Sequence, residues 1–137
     1  MGFKLLVVDD DDNIRVSLQQ IFSDHNVILA GNGETAVRLV IDERPSLVLL
    51  DIDMPGMNGL EVLAALKDLE HKPIIIMLTG NDKLETASKA LELGAISYIT
   101  KPFEVADIRR AVIEAVGENG SVQKNSARTW TVKKENP

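Results

Sequence analysis

The chain has 137 residues, no cysteine and a formal net charge of −6 at pH 7. This length fits a single domain that can bury a core without disulfides, and the acidic charge argues against nonspecific nucleic-acid binding by the chain. No apolar run approaches the roughly 18 residues that a membrane span needs, and no segment has the pattern of a signal peptide, so we expect a cytoplasmic protein without a membrane segment.

Five short runs rich in aliphatic residues are predicted strands. Each is too short for a helix and almost wholly apolar, which is typical of parallel strands covered on both faces. In chain order the runs are Lys4–Val8, Val27–Ala30, Leu47–Leu50, Ile74–Leu78 and Ile96–Ile99. Pro45 and Pro73 precede two of these runs, where extended backbone suits proline.

After each strand the apolar spacing becomes helical, which predicts five helices. The positions on one face of each are Ile14, Leu18 and Ile21; Val37, Val40 and Ile41; Val62, Leu66 and Leu69; Leu84, Ala87 and Leu91; and Ile108, Ala111, Val112 and Ala115. Asp11 or Asp12 is suited to cap the first helix, and Gly94 to end the fourth. Strict alternation predicts an α/β fold with a parallel sheet between two helical layers, and it places the carboxyl ends of all strands at one edge.

The periodic pattern ends after about Val116. Residues 118–137 are polar, show no period and mix Gly, Ser, Asn and Lys. We interpret residues 1–117 as the folded domain and residues 118–137 as a polar tail or linker. Trp130 lies in this tail, where a lone tryptophan either docks on the domain or, more often, belongs to a truncated or partner-bound segment.

Residues capable of chemistry lie at the ends of four predicted strands. Asp9 and Asp10 end the first, Asp51 the third, Thr79 the fourth and Lys101 the fifth. Taken singly, each has a purely structural explanation, such as a helix cap or a solvated loop end. Ligands bind to sheets of this kind at the edge where the strand order reverses, and we expect Asp9, Asp10 and Asp51 to converge there.

The negative charge of three converging carboxylates has to be offset. Two unit charges about 4 Å apart repel by roughly 4 kcal/mol at an effective dielectric constant of about 20, so three ionised pairs would cost on the order of 10 kcal/mol, comparable to the stability of a domain. The cluster therefore needs a cation, raised pKa values or both. Oxygen ligands without cysteine or convergent histidine suit a hard ion such as Mg²⁺, with Mn²⁺ as a substitute. His25 and His71 are isolated, and we interpret them as surface residues.

Lys101 adds a second positive charge beside the expected cation. An aspartate next to Mg²⁺, a lysine and a hydroxyl group is equipped to accept a phosphoryl group. The carboxylate of Asp51 would be the nucleophile, and the cations would offset the charge on the transferring oxygens.

Four strings make the sequence similar to a known family: LLVVDDD, LVLLDIDMPGMNGLEVL, IIIMLTG and GAISYITKPF. In this order and spacing they resemble the receiver domain of two-component response regulators, over residues 4 to about 116. The resemblance implies a flavodoxin-like (βα)5 doubly wound parallel sheet with strand order 2-1-3-4-5. It also implies a phosphorylation-activated signalling switch that accepts a phosphoryl group from a histidine kinase in a Mg²⁺-dependent reaction.

The resemblance assigns metal-binding roles to the acids. Asp51 is expected to be the phosphoacceptor and a metal ligand, and Asp10 a direct Mg²⁺ ligand. Asp9 would bind the ion mainly through water. The main-chain carbonyl of Asp53 would supply a further ligand.

The resemblance also identifies residues that respond to the phosphoryl group. Thr79 and Lys101 would contact its oxygens, and the Lys101–Pro102 peptide bond is expected to be cis. Tyr98 matches the family's switch aromatic, which turns in behind Thr79 when that hydroxyl is drawn inward.

Partners follow from the same resemblance. We expect a sensor histidine kinase or a phosphotransfer protein as the phosphoryl donor, and an output domain or downstream protein as the target. The face formed by the fourth helix, the fifth strand and the fifth helix is the expected contact for such partners and for a homodimer. The domain would be regulatory, catalysing only its own phosphorylation and dephosphorylation.

Two other classes of protein fit parts of the pattern. The string LLDID also fits the D-x-D motif of haloacid-dehalogenase-like phosphatases, with Asp51 as the nucleophile and Asp53 as the second acid. That family opens with its D-x-D strand, whereas here the motif lies on the third predicted strand, downstream of an acid pair. The other class is a structural or interaction module without phosphotransfer, and the intact acidic pocket argues against it.

Overall fold

The computed structural model describes residues 2–80 and 84–117, in which five strands and five helices alternate. The strands are β1 (Lys4–Val8), β2 (Asn26–Ala30), β3 (Leu47–Asp51), β4 (Ile74–Gly80) and β5 (Ser97–Lys101). The helices are α1 (Asp12–Ile21), α2 (Gly33–Glu43), α3 (Gly59–Leu66), α4 (Leu84–Glu92) and α5 (Val105–Val116). None of these helices is both long and apolar enough to cross a membrane.

The predicted tail, residues 118–137 with Trp130, lies outside the described residues. Its interpretation as a tail or linker stays a prediction. The last described helix, α5, ends at Val116, and Gly117 follows with a positive φ of 78°.

All five strands are parallel and lie in the order β2-β1-β3-β4-β5. This confirms the flavodoxin-like arrangement, and it places the reversal of strand order beside β1 and β3, where a crevice opens at the carboxyl edge. β4 and β5 run two residues further than predicted, to Gly80 and Lys101, because main-chain pairing continues past their apolar residues. Thr79 pairs with Thr100, and Gly80 with Lys101.

Apolar clusters cover both faces of the sheet. Leu5 and Val7 of β1 belong to the cluster that contains α1 and α5, and Leu6 and Val8 to the cluster that contains α2, α3 and α4. Full burial of one such side chain contributes roughly 1.5–3 kcal/mol. The two clusters therefore hold the central strands firmly, and the positions of their ends are fixed with them.

The predicted apolar faces of the helices differ from the structure near the helix ends. Ile41 and Leu84 are 52% and 47% exposed, since each lies near a helix end where none of the described elements covers it. Leu69 lies beyond α3, which ends at Leu66, although its side chain still packs against the cluster of α2, α3 and α4 as its predicted apolar role requires. By contrast, the caps follow the sequence: the Asp11 side chain accepts a hydrogen bond from the Asn13 N–H at 2.9 Å.

His25 is not the surface residue that the sequence predicts. Its side chain is 11% exposed, and its ring stacks on Phe3 with ring centroids 4.0 Å apart. Its Nδ1 accepts a hydrogen bond from the Phe3 N–H at 3.2 Å, so it serves to anchor the start of β1. His71 is exposed, as predicted.

Candidate functional site

Three carboxylates meet at the carboxyl edge of the sheet. Asp9 directly follows β1, Asp10 comes next, and Asp51 is the last residue of β3. Ligand oxygens of the three side chains lie within 4.8 Å of one another. Asp9 and Asp51 are buried, at 0% and 4% exposure, whereas Asp10 is exposed. The topology thus brings together the three acids that the sequence places at strand ends.

Lys101 joins this cluster from the end of β5. Its Nζ lies 2.9 Å from Oδ2 of Asp9 and 3.2 Å from Oδ1 of Asp51. Burial opposes the ammonium charge, but the hydrogen bond to Asp9 and the charge of Asp51 outweigh that effect and raise the pKa of Lys101 above its ordinary value. The lysine is therefore charged and bridges the two buried acids.

The carboxyl of Asp51 resists ionisation in this environment. Burial and the charge of Asp9 both disfavour a further negative charge, and Lys101 only partly offsets them. Together they raise the pKa of Asp51 to about 7. Asp51 therefore gives up its proton far less readily than an ordinary aspartate.

The loop from β3 to α3 folds back tightly onto the phosphoacceptor candidate. The Gly59 N–H donates to the Ile52 carbonyl at 2.9 Å. A Cβ atom at Gly59 would lie 2.5 Å from the carbonyl oxygen of Asp51, so only glycine allows this approach. Asn58 and Glu61 form a capping box at the start of α3, which fixes the far end of the loop. Asp53 lies within this loop and is exposed.

The turn from β1 to α1 is held by hydrogen bonds to Asp9. Its Oδ1 accepts from the Asp11 N–H at 3.0 Å, and its main-chain carbonyl accepts from Nη1 of Arg15 at 2.6 Å. The turn that carries Asp9 and Asp10 is thus held by one hydrogen bond to the Asp9 side chain and one to the Asp9 main-chain carbonyl.

Thr79 lies near the end of β4, and Tyr98 lies on the neighbouring strand β5. Thr79 is 1% exposed, and its Oγ1 donates to the Gly80 carbonyl at 3.3 Å. Tyr98 of β5 is half-buried and packs against the cluster of α2, α3 and α4. The Lys101–Pro102 peptide bond is cis.

The donor set fits a hard divalent cation. It consists of carboxylate oxygens, two of them on buried side chains and one on the exposed Asp10. Lys101 supplies only one positive charge to three acids, so a divalent ion would relieve the remaining repulsion. An aspartate nucleophile beside a lysine and a cation can accept a phosphoryl group.

Arg15 and Gly59 are the two site residues that the sequence pattern does not reveal. The sequence signal for Arg15 is a basic residue that follows the string DDDD by three positions. Its contact with the Asp9 carbonyl, however, depends on the shape of the turn between β1 and α1. In the sequence Gly59 is one of several glycines typical of turns. Its close approach to the Asp51 carbonyl depends on the folded path of the β3–α3 loop.

Comparison with known proteins gives the same picture. The sequence model of the response regulator receiver domain matches residues 5–113. The chain is 39% identical over 114 residues to sporulation initiation phosphotransferase F of Bacillus subtilis, across 82% of this chain and 92% of that protein. It is 36% identical over 115 residues to the regulatory protein AtoC of Escherichia coli, across 82% of this chain and 25% of that protein.

A solved structure matches as well. The CheY-like response regulator receiver domain protein from Methanospirillum hungatei superposes with a TM-score of 0.77 at 33% identity. The match covers 83% of this chain and 93% of that one. Fold and sequence therefore agree on one family.

The raised pKa of Asp51 generates a stability prediction. In EDTA, Asp51→Asn should stabilise the protein at pH 8 and do so less at pH 5. The pKa is about 7 in the fold against an ordinary value of 3.8, so the unfolded chain binds fewer protons between these values and stability falls as pH rises through that window. One pKa unit corresponds to about 1.4 kcal/mol, and we expect a gain of at least about 1 kcal/mol at pH 8.

Urea unfolding at several pH values measures this effect. Asp68→Asn is the control, because Asp68 is an exposed acid after α3. Its effect on the free energy of unfolding should be about the same at pH 5 and pH 8. A stability of Asp51→Asn at pH 8 equal to or below that of wild type would contradict the prediction.

Proposed function

The chain belongs to the response regulator receiver domain family, and we propose that Asp51 is the residue at which it accepts its phosphoryl group. Receiver domains are phosphoacceptor signalling switches of two-component systems, and they interact with histidine kinases or phosphotransfer proteins and with output domains. The observation that carries the proposal is the position of Asp51, buried at the end of a central strand, bridged by Lys101 to Asp9 and close to Asp10. The family match covers residues 5–113 and gives no support to the phosphatase alternative.

The same pocket would hold Mg²⁺, or Mn²⁺ in its place. Asp10 and Asp51 would be direct ligands, Asp9 would act mainly through water, and the main-chain carbonyl of Asp53 would add a further oxygen. When bound, the ion offsets negative charge on the phosphoryl oxygens and on the acids themselves. It also favours the ionised, nucleophilic form of Asp51.

The chain's own residues account for the transfer step. A carboxylate oxygen of Asp51 attacks the phosphorus of a phosphohistidine or a small phosphodonor. The new P–O bond forms while the bond to the leaving group breaks, and the leaving group keeps the electron pair. Lys101 already contacts Asp51 and can offset charge on the transferring oxygens. Thr79, which follows the strand partner of Asp51, supplies a hydroxyl donor at the same edge.

We assign the receiver function to residues 1–117. A sensor histidine kinase or a phosphotransfer protein would supply the phosphoryl group, and an output domain or downstream protein would receive the signal.

Phosphorylation of Asp51 is the direct test. Incubation with acetyl phosphate and Mg²⁺ should add one phosphoryl group, seen by mass spectrometry as an acid-stable, base-labile adduct. Asp51→Asn and EDTA should each abolish it, because the first removes the nucleophile and the second removes the cation. Asp68→Asn is the matched control and should label normally. Undiminished labelling of Asp51→Asn would place the phosphoacceptor elsewhere.

Signalling would start at Thr79. In the structure its hydroxyl donates to the carbonyl of the next residue, Gly80, and phosphoryl oxygens on Asp51 would offer a charged acceptor instead. Movement of Thr79 toward Asp51 would make room for the half-buried Tyr98 to turn inward. The surface formed by α4, β5 and α5, which we name the α4–β5–α5 face, would then repack as a population shift between two arrangements. Partners, or a second copy of the chain, would bind there.

Beryllofluoride, which stands in for the phosphoryl group, tests this mechanism. Adding it with Mg²⁺ should shift backbone amide resonances on the α4–β5–α5 face as well as around Asp51. Thr79→Val keeps the shape but removes the hydroxyl, so its shifts should stay local. Wild-type shifts confined to the β3–α3 loop would contradict the mechanism.

The side chain of Asp53 has two interpretations. It either takes no part in the phosphoryl chemistry, or it lies near the path of water that attacks the acyl phosphate. Its exposed position two residues after Asp51 suits a carboxylate that orients or deprotonates that water as a general base. Its repulsion of the phosphoryl group would be muted by the cation and Lys101.

We expect Asp53→Asn to slow dephosphorylation, because asparagine cannot take the proton from water. General bases contribute on the order of 10²-fold or more when well placed, and an exposed one should contribute less, so we expect a several-fold change. The measurement is the first-order decay of the phosphorylated protein at saturating Mg²⁺, with Asp68→Asn as the control. Unchanged or faster decay in Asp53→Asn would leave Asp53 as a main-chain ligand alone.

A further inference from the structure

Arg15, in the first turn of α1, contacts the turn that carries the acid pair. Its Nη1 donates to the main-chain carbonyl of Asp9 at 2.6 Å, and its Nη2 donates to the carboxylate of Asp12. The side chain is only 20% exposed. Gly31, after β2, leaves room for it, since a Cβ atom there would lie 3.1 Å from Nη1. The guanidinium is therefore held between the end of β1, the start of α1 and the β2–α2 loop.

These contacts fix the peptide unit between Asp9 and Asp10. The carbonyl oxygen of Asp9 and the nitrogen of Asp10 lie in one rigid plane. A donor that holds the oxygen therefore sets the rotation of that plane and the direction in which Asp10 leaves the strand. The N–H of Asp9 also donates to the Ala30 carbonyl at 3.1 Å, and its Oδ1 accepts from the Asp11 N–H at 3.0 Å. Arg15 thus adds the anchor on the carbonyl side of the turn.

We propose that Arg15 is a positioning residue for the cation site, which raises Mg²⁺ affinity by holding the Asp9–Asp10 turn so that both carboxylates face Asp51. This inference rests on the cation site proposed above. The charge of Arg15 acts in the opposite direction, because a guanidinium repels a nearby divalent cation. When Arg15 is replaced, the loss of positioning should therefore weaken Mg²⁺ binding, whereas the loss of its charge alone would strengthen it.

The test is a Mg²⁺ titration of the full chain followed by backbone amide NMR shifts. Arg15→Met keeps the length of the side chain and removes the planar donor fork. We expect its apparent Kd for Mg²⁺ to rise about tenfold, the effect typical of losing a residue that orients a metal ligand. In EDTA the Asp11 amide, which bonds to Asp9, should also exchange with solvent faster.

Arg110→Met is the matched control. Arg110 pairs with Asp107 at 3.7 Å with the same i,i+3 spacing as Arg15 and Asp12, but on α5. Its replacement removes an equal charge and an equal helical ion pair, and it should leave the Kd for Mg²⁺ unchanged.

Gly31→Ala gives a second, independent variant. The added methyl group would crowd the guanidinium, so this variant should weaken Mg²⁺ binding in the wild-type background by several-fold. In the Arg15→Met background it should have no further effect on Mg²⁺ binding, because methionine makes no hydrogen bond to the Asp9 carbonyl that the methyl group could displace.

The outcomes separate this inference from the proposed function. Mg²⁺ binding by Arg15→Met that is as tight as in wild type, or tighter, would overturn the role of Arg15 and leave the cation site intact. Failure of the wild-type chain to bind Mg²⁺ would overturn the cation site and the role of Arg15 together. A tenfold weakening in Arg15→Met with an unchanged Arg110→Met supports the inference.

Discussion

One ammonium group between two buried carboxylates is the interaction on which the site depends. Lys101 contacts Asp9 and Asp51, which lie 92 and 50 positions away along the chain. A buried charge without a partner costs several kcal/mol, so Lys101 is needed by both acids, although it only partly offsets the cost of ionising Asp51. They can meet only when β1, β3 and β5 end level at one edge of the sheet, and the parallel register provides that alignment.

The same cluster is left short of positive charge. Three carboxylates and one ammonium would carry a net charge of −2 if all were ionised. Burial, together with the neighbouring charge of Asp9, raises the pKa of Asp51 to about 7. A bound divalent cation would balance the deficit, after which a phosphoryl group could approach against far less repulsion. Stability and function therefore conflict at this edge, because the arrangement that attracts the cation is unfavourable without it.

The strands and their common edge could be predicted from the sequence because burial on both faces leaves continuous apolar runs. The ends of β4 and β5 were predicted two residues short, since main-chain pairing continues under polar side chains such as Thr79. Contacts that form only in the tertiary structure could not be predicted from the spacing of apolar residues in the sequence. His25 is half-buried because it stacks on Phe3, 22 positions earlier, and lies beside Phe22, and Gly59 matters because the loop returns to Asp51.

In the proposed mechanism, the hydrogen bond of Thr79 is the contact at which a small chemical change would act on a large surface. Its hydroxyl donates at 3.3 Å to the neutral carbonyl of the adjacent residue, a long bond that adds little to stability. A phosphoryl oxygen is a charged acceptor, and hydrogen bonds to charged groups are about twice as strong. The difference between the two bonds, of about 1–2 kcal/mol, is enough to shift the populations of two packings more than fivefold. Because β4 and β5 are paired at Thr79 and Thr100, a movement of Thr79 is felt directly by the strand that carries Tyr98 and Lys101.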